Sequence, residues 1–176
     1  KQAIAYMKEH HLAAYEHSRA RDPKMFNKMK VSDFLERYCF VVYASGFKFS
    51  IIKSKWPAIK AGFRNFQIDE ITGESCKNDV LAAFGSVSKF NSFIKGVELI
   101  RNEGFDEFRA QVFLEGPEHL TKLGGIGTIT KDHLAKNINL CDVAKMDRWI
   151  VKLAEKGRMD PHKMIDYLKD KTGESA

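Results

Sequence analysis

The sequence has few of the features that mark secreted, membrane-spanning or disulfide-rich proteins. Its 176 residues include three cysteines, Cys39, Cys76 and Cys141, which are far apart and odd in number. Each is therefore predicted to be a small core residue rather than a bridge or a metal ligand. The sequence has no run of about eighteen apolar residues and no short apolar stretch behind a basic start, so we expect neither a transmembrane helix nor a signal peptide. A reducing compartment, the cytoplasm or the nucleus, is the expected location.

Internal repeats, low-complexity segments and blocks of like charge are also lacking, which argues against a repeat array or a disordered tail. With 44% hydrophobic residues the chain has enough apolar mass for one compact domain or two closely packed halves. Lysine and arginine number 29 against 23 acidic residues, a formal net charge of +6. A polyanion such as nucleic acid is a natural partner for such a chain, although many soluble domains are equally basic.

Nearly every segment repeats its apolar residues at helical spacing, and no β-hairpin or βαβ pattern occurs. Ser32 is a predicted N-cap for a buried helix that runs through FVVYASG, and Pro57 is predicted to kink or divide a helix from Phe49 to Phe66. Further helices are predicted over 3–19, from about Asp79, over 87–102 and 105–113, up to 138 after a glycine-rich turn, over 147–156, and from Asp160 and Pro161 onward. We therefore predict an all-α fold of nine or ten short helices.

The stretch LTKLGGIGTITKDHLAKN, residues 120–137, places three glycines within four positions between two helical patterns. We predict a hairpin over 117–138, with a short helix at Pro117–Leu123, a turn that uses glycine's tolerance of positive φ, and a second helix from Thr128. Unpaired amides at such a turn and helix start suit an anion such as a phosphate. The predicted phosphate-binding residues are Gly124, Gly125, Gly127 and Thr128. Taken alone, the glycines could equally form only a turn.

Downstream, Asp147 precedes the amphipathic pattern MDRWIVKLA and lies 20 positions beyond Gly127. Together, LGGIG and the spaced aspartate resemble the helix-hairpin-helix DNA glycosylase superfamily, which includes endonuclease III and the alkyladenine glycosylases. The resemblance covers residues 114–156 and extends more weakly to FLERYCFVVYASGFKFSIIKSKWPAI, residues 34–59. It implies that Asp147 is the catalytic carboxylate, which stabilises positive charge on the sugar and orients or deprotonates a water. By itself Asp147 would be an ordinary helix N-cap.

The resemblance also implies an architecture and a partner. We expect two helical subdomains with the active site in the cleft between them, one formed by about 32–145 and the other by about 1–31 plus 146–176. The expected partner of this likely monomeric enzyme, in the sense that the family implies it, is double-stranded DNA with a damaged or modified base. Neither a cofactor nor a metal is expected, because no cysteine follows Cys141 to hold the iron–sulfur cluster of some family members.

The site departs from the family's strand-cleaving members. Those members have a lysine two positions after the last hairpin glycine, where this chain has Ile129. Lys131, two residues further along, would point about 200° away around a helix. We therefore expect base hydrolysis without strand cleavage. A glycosylase with lyase activity through Lys131 and a non-enzymatic DNA-binding module remain as alternatives.

Base removal from a duplex requires the nucleotide to flip out, a wedge to fill the gap and a pocket to receive the base. Phe47, in the loop 45–49, is the wedge candidate, with a core phenylalanine as the alternative. Tyr43, Trp56 and Trp149 are candidates for stacking on the base, although aromatics at helical spacing usually belong to the core. His133, four residues after Ile129, is a candidate pocket acid or polar contact, with a surface histidine as the alternative.

Overall fold

The structure is a computed structural model that describes residues 24–141 and 148–172, with the backbone alone for Lys24, Arg148 and Trp149. All regular elements among those residues are helical and none is a β-strand, which confirms the predicted all-α class. The predicted helix over 3–19 lies outside the described residues. The described α-helices are, in chain order, α1 (Lys24–Asn27), α2 (Val31–Ala44), α3 (Phe49–Gly62), α4 (Gly73–Ala83), α5 (Val87–Glu103), α6 (Phe105–Glu115), α7 (Thr130–Asn137), α8 (Arg148–Lys156) and α9 (Pro161–Thr172). Short 3-10 segments cover Arg64–Phe66, Ile68–Glu70 and Gly116–Lys122.

Helix α2 is the central element, because α3, α5 and α7 all pack against it. Its side chains from Val41 to Tyr43 are buried, which confirms a buried helix over this run. The helix begins at Val31, with Lys30 in the cap position and no side-chain cap. The prediction that Ser32 is the N-cap is therefore wrong, since Ser32 already lies inside the first turn.

The end of α3 differs from the predicted helix over 49–66. The helix is continuous through Pro57 and ends at Gly62, and both Pro57 and Lys53, whose carbonyl loses its helical donor, are exposed. Three successive residues, Arg64 to Phe66, then have φ values of 53°, 49° and 62°. Non-glycine residues rarely adopt this left-handed conformation, so a turn of this kind persists only where packing holds it. Here it buries Phe66 completely.

Helix α4 begins six residues before the predicted start at Asp79, inside a stretch that reads as polar and irregular. A capping box explains the earlier start. Thr72 Oγ1 accepts a hydrogen bond of 2.9 Å from the Ser75 amide, and Ser75 Oγ accepts one of 3.1 Å from the Thr72 amide. The two hydroxyls thus satisfy donors that the helix start would otherwise leave unpaired.

The remaining helices follow the sequence pattern more closely. Helices α5 and α6 are divided at Gly104, which has a φ of 84°, and extend one and two residues beyond the predicted ends. Helices α8 and α9 contact each other. The predicted cap of α9 is confirmed, because Asp160 Oδ1 accepts hydrogen bonds of 3.0 Å and 3.1 Å from the amides of His162 and Lys163.

Candidate nucleic-acid interface

Residues 124–127, here called the glycine turn, connect the last 3-10 segment to α7. Leu123 and Ile126 are buried on either side of the first two glycines and fix the turn to the core. The Ile126 amide donates a hydrogen bond of 3.1 Å to the Leu123 carbonyl oxygen. Two short helical segments therefore flank a tight turn, and α7 begins at Thr130, two residues later than predicted.

The three glycines of the turn differ in what they contribute to the fold. A Cβ on Gly124 would lie 2.2 Å from the Ser92 carbonyl oxygen on α5, so a side chain there has no room. Gly125 has a φ of 80°, in the left-handed region that favours glycine. Gly127 has neither constraint, because its φ is not positive and a Cβ would meet no atom within 4 Å. The expected positive φ is therefore confirmed at Gly125 and wrong at Gly127.

The buried Tyr38 of α2 holds the start of the turn. Its hydroxyl donates to the Gly124 carbonyl oxygen at 2.6 Å and lies 3.1 Å from the Ser92 carbonyl oxygen. Gly96 leaves space for this hydroxyl, since a Cβ there would lie 2.2 Å from it. Burial raises the pKa of Tyr38, with a smaller contribution from Cys39, so the neutral hydroxyl remains available as the donor. The turn is thus anchored to two helices.

The turn and the start of α7 expose backbone amides. Within residues 24–141 and 148–172, the amides of Gly125, Thr128 and Ile129 have no hydrogen-bond partner, and all three residues are exposed. The Gly127 amide differs, because it donates to Thr130 Oγ1 at 2.7 Å. An anion at the turn would therefore find its donors at positions 125, 128 and 129, with Gly127 providing a path of close approach.

Phe47 stands at the tip of the loop between α2 and α3. Its side chain is 47% exposed, and its ring packs edge-on against Phe84 at a centroid distance of 5.1 Å. The Lys89 ammonium lies 5.3 Å from the Phe47 ring centroid and donates to the carbonyl oxygens of Val42 at 2.6 Å and Ser45 at 2.8 Å. Burial lowers the pKa of Lys89. This one side chain therefore caps α2 and supports the exposed aromatic ring.

The glycine turn and the Phe47 loop are neighbours on one surface. Ser92, which abuts Gly124, and Lys89, which supports Phe47, are three residues apart on α5 and so about one helical turn from each other. The exposed amides and the exposed phenylalanine consequently share a face. This arrangement has the elements that a duplex-binding surface needs, namely donors for phosphates and an apolar ring beside them.

The other predicted pocket residues are less close together. Tyr43 is fully buried, with its ring edge-on to Phe63 and Phe84, so it offers no face to a base and belongs to the core. His133 is partly buried on α7. The backbone of Trp149 lies in α8, and its side chain lies outside the described part of the chain.

Trp56 lies at a cavity that the sequence did not reveal. The cavity has a volume of about 440 Å³ and lies between α2, α3 and the end of α7. Its lining residues are Asp33, Glu36, Arg37, Phe40, Trp56 and Asn137. The four α2 residues follow the spacing i, i+3, i+4, i+7 of one helix face. That stripe was the available signal, and the apolar run beside it drew attention away.

Lys131 is occupied in an ion pair. Its ammonium pairs with Glu118 of the preceding 3-10 segment, and 13% of its side chain is exposed. Ile129, by contrast, is 48% exposed just before α7. The apolar residue, rather than the lysine, therefore presents itself to solvent beside the glycine turn.

Asp147 lies outside the described residues, and α8 begins at the next position, Arg148. Among the residues that the structure describes, no three His, Cys, Asp or Glu side chains are grouped as a metal site. None of the described helices has the length and hydropathy needed to cross a bilayer. No protein-family model matches the chain, and neither a curated protein nor a solved structure matches it significantly.

Proposed function

We propose that the chain is a monofunctional DNA glycosylase of the helix-hairpin-helix superfamily, which removes a damaged or modified base from duplex DNA by hydrolysis. The observation that carries the proposal is Gly127, which is exposed beside unpaired amides and needs to be glycine for no reason within the described fold. Close approach by a ligand backbone is a reason for glycine at such a position. The spacing from Gly127 to Asp147 adds the catalytic carboxylate.

In this proposal the phosphate contact comes from backbone rather than side chains. The amides of Gly125, Thr128 and Ile129 donate to one phosphate, with the positive end of the α7 dipole behind them. Because Tyr38 and Ser92 fix the turn, these donors are held in place before DNA arrives. Such a contact positions a duplex and reads no sequence.

Phe47 is the proposed wedge. Its exposed ring lies about one turn of α5 from the glycine turn, within the span of neighbouring nucleotides. Insertion of an apolar ring compensates for the stacking that is lost when a nucleotide leaves the helix. The cation of Lys89 supports the ring from the protein side and limits its movement.

Asp147 is proposed to act at the sugar. As the glycosidic bond breaks, its carboxylate stabilises the positive charge that develops and orients or deprotonates the attacking water. The water oxygen bonds to the sugar carbon and the glycosidic electron pair leaves with the base. Ile129 and the ion-paired Lys131 leave no free lysine beside the glycine turn among the described residues, which favours hydrolysis over lyase chemistry.

The proposal includes the two-half architecture that the resemblance implies, with residues about 32–145 in one half and both ends of the chain in the other. Asp147 would then lie at the start of α8, on the second half, and face the surface that carries the glycine turn. A monomer that acts on nucleoid or nuclear DNA fits this arrangement. The basic net charge of +6 favours the approach of a polyanion.

The test is base release from duplexes that each carry one lesion from a broad panel. Asp147→Asn should abolish release while it leaves duplex affinity within a few-fold of wild type, because the amide keeps the shape and removes the charge. A matched control is Asp160→Asn, which alters another aspartate at a helix start. Release by Asp147→Asn at the wild-type rate would refute the mechanism. If the wild type binds duplexes but releases no base, the non-enzymatic DNA-binding module is the better description.

A further inference from the structure

The cavity beside Trp56 has one aromatic side. Phe40 and Trp56 meet edge to face, with centroids 5.0 Å apart and planes at 80°. The buried Phe66 stacks on the Trp56 indole at 6.0 Å and 27°, held there by the left-handed turn that precedes it. Rings supported in this way keep their orientation and offer flat apolar surface to a planar ligand.

The other side of the cavity is polar, and its free charge is negative. The Arg37 guanidinium donates to the Asn137 carbonyl oxygen at the end of α7. Both carboxylate oxygens of Glu36 accept from Lys60, at 2.9 Å and 2.8 Å. Asp33 is exposed, and within residues 24–141 and 148–172 its carboxylate has no partner. The two cations are therefore engaged with protein acceptors, while one carboxylate remains available.

The volume of about 440 Å³ lies in the lower part of the range for small-molecule sites, which suits a nucleobase with its sugar. The cavity is also within reach of the proposed duplex surface. Phe40 at the cavity and Phe47 at the loop are seven residues apart, a distance of about 10 Å along the α2 direction. A nucleotide displaced by Phe47 has to travel about this far.

We infer that this cavity receives the extruded base and prefers a planar heteroaromatic ring with a positive charge, the class of N-alkylated purines. The aromatic wall attracts the face of an electron-poor ring, and the Asp33 carboxylate attracts its charge or its N–H donors. The inference rests on the proposed function for the origin of the base. Binding of the free ligand is a property of the cavity alone.

A cationic base also suits hydrolysis by one carboxylate. When the glycosidic bond breaks, its electron pair neutralises the positive charge of the base, which leaves without a proton from the enzyme. The water oxygen bonds to the sugar carbon, and the released proton passes through Asp147 to solvent. A pocket that recognises charge therefore selects bases whose departure needs no general acid.

Fluorescence tests the cavity directly, because the chain has two tryptophans and Trp149→Phe leaves Trp56 as the only one. We expect 7-methylguanosine, which is cationic at mildly acid pH, to quench Trp56 and to bind about tenfold or more tightly than guanosine, its neutral counterpart. Asp33→Asn should reduce the preference to about equal affinities. The matched control Asp69→Asn, on an exposed 3-10 segment away from the cavity, should keep the preference.

Equal affinity for the two nucleosides, or no quenching of a folded protein, would overturn the inference. Persistence of the preference in Asp33→Asn would overturn the role of that carboxylate and with it the inference. None of these results depends on catalysis. If the cavity fails while duplexes with another class of lesion lose a base in an Asp147-dependent way, the proposed function stands without this pocket. If the cavity binds the cation while no lesion is released, the proposed function fails by itself.

Discussion

Gly127→Ala separates a ligand-binding role of the glycine turn from a folding role. A Cβ at this position meets no atom within 4 Å and the φ is not in the left-handed region. The free energy of unfolding should therefore change by no more than about 0.5 kcal/mol, as for other surface substitutions. If a phosphate lies against the turn, the new methyl group displaces it from charge-assisted bonds of about 1.5–3 kcal/mol, which weakens binding about 10- to 100-fold.

The assay is fluorescence anisotropy with labelled duplexes of unrelated sequence across a salt series. The loss should be the same for every duplex, and the slope of log affinity against log salt should fall by about 0.9 for one lost phosphate contact. Gly73→Ala is the matched control, because its Cβ would make only an ordinary contact of 3.8 Å with Ile94. Gly124→Ala provides the opposite case. Its Cβ overlaps the Ser92 carbonyl oxygen, so it should destabilise the fold by about 1–3 kcal/mol.

The result that refutes this reasoning is a folded Gly127→Ala protein with unchanged duplex affinity and an unchanged salt slope. The glycine turn would then be only a turn. Thermal unfolding measured on the same samples separates this outcome from a loss of binding through misfolding, which the clash-free geometry at Gly127 does not predict.

Two further predictions concern lysines. Lys89→Met removes the cap of α2 and the cation below the Phe47 ring, so it should weaken lesion-duplex binding as much as Phe47→Ala does and slow base flipping reported by 2-aminopurine fluorescence; normal flipping by a folded Lys89→Met would show that the loop needs no such support. Borohydride should trap no covalent protein–DNA adduct, because Lys131 is ion-paired. An adduct that disappears in Lys131→Ala would establish lyase chemistry.

Helix positions follow from sequence where the apolar periodicity is strong. α5 and α6 end within two residues of their predicted limits, since each buries one regular stripe and glycine separates them. The start of α4 was not predictable in the same way. Its capping box uses Ser75 where the common pattern has Glu or Gln, and the polar composition of that stretch resembles a loop.

The left-handed turn at Arg64–Phe66 could not be predicted, because no local preference favours it. Its Arg64 guanidinium bonds to Asp79 at 2.7 Å, and Phe66 packs on Phe63 and Trp56. These partners come from α3 and α4, so the conformation depends on tertiary packing. The same holds for the cavity, whose wall combines a stripe of α2 with a residue of α3 and the end of α7.

The roles of the three glycines show where sequence reasoning reaches its limit. The pattern GGIG predicts a turn, and Gly125 has the positive φ that this needs. It does not reveal that Gly124 is required by the α5 backbone or that the Gly127 amide is taken by Thr130. Both facts depend on neighbours. They also change the predicted phosphate donors, from the amides of the whole turn to those at positions 125, 128 and 129.

The cavity bears on the choice between an enzyme and a binding module. A module that holds duplex DNA needs exposed amides, and a nearby aromatic ring can add apolar contact. It has no use for an aromatic-walled cavity about 10 Å from that surface, with an unpaired carboxylate at its rim. An uncompensated carboxylate beside a polyanion weakens binding, because like charges repel. Asp33 therefore disfavours simple duplex binding, and its position is reasonable where a cationic base leaves the helix and enters the cavity.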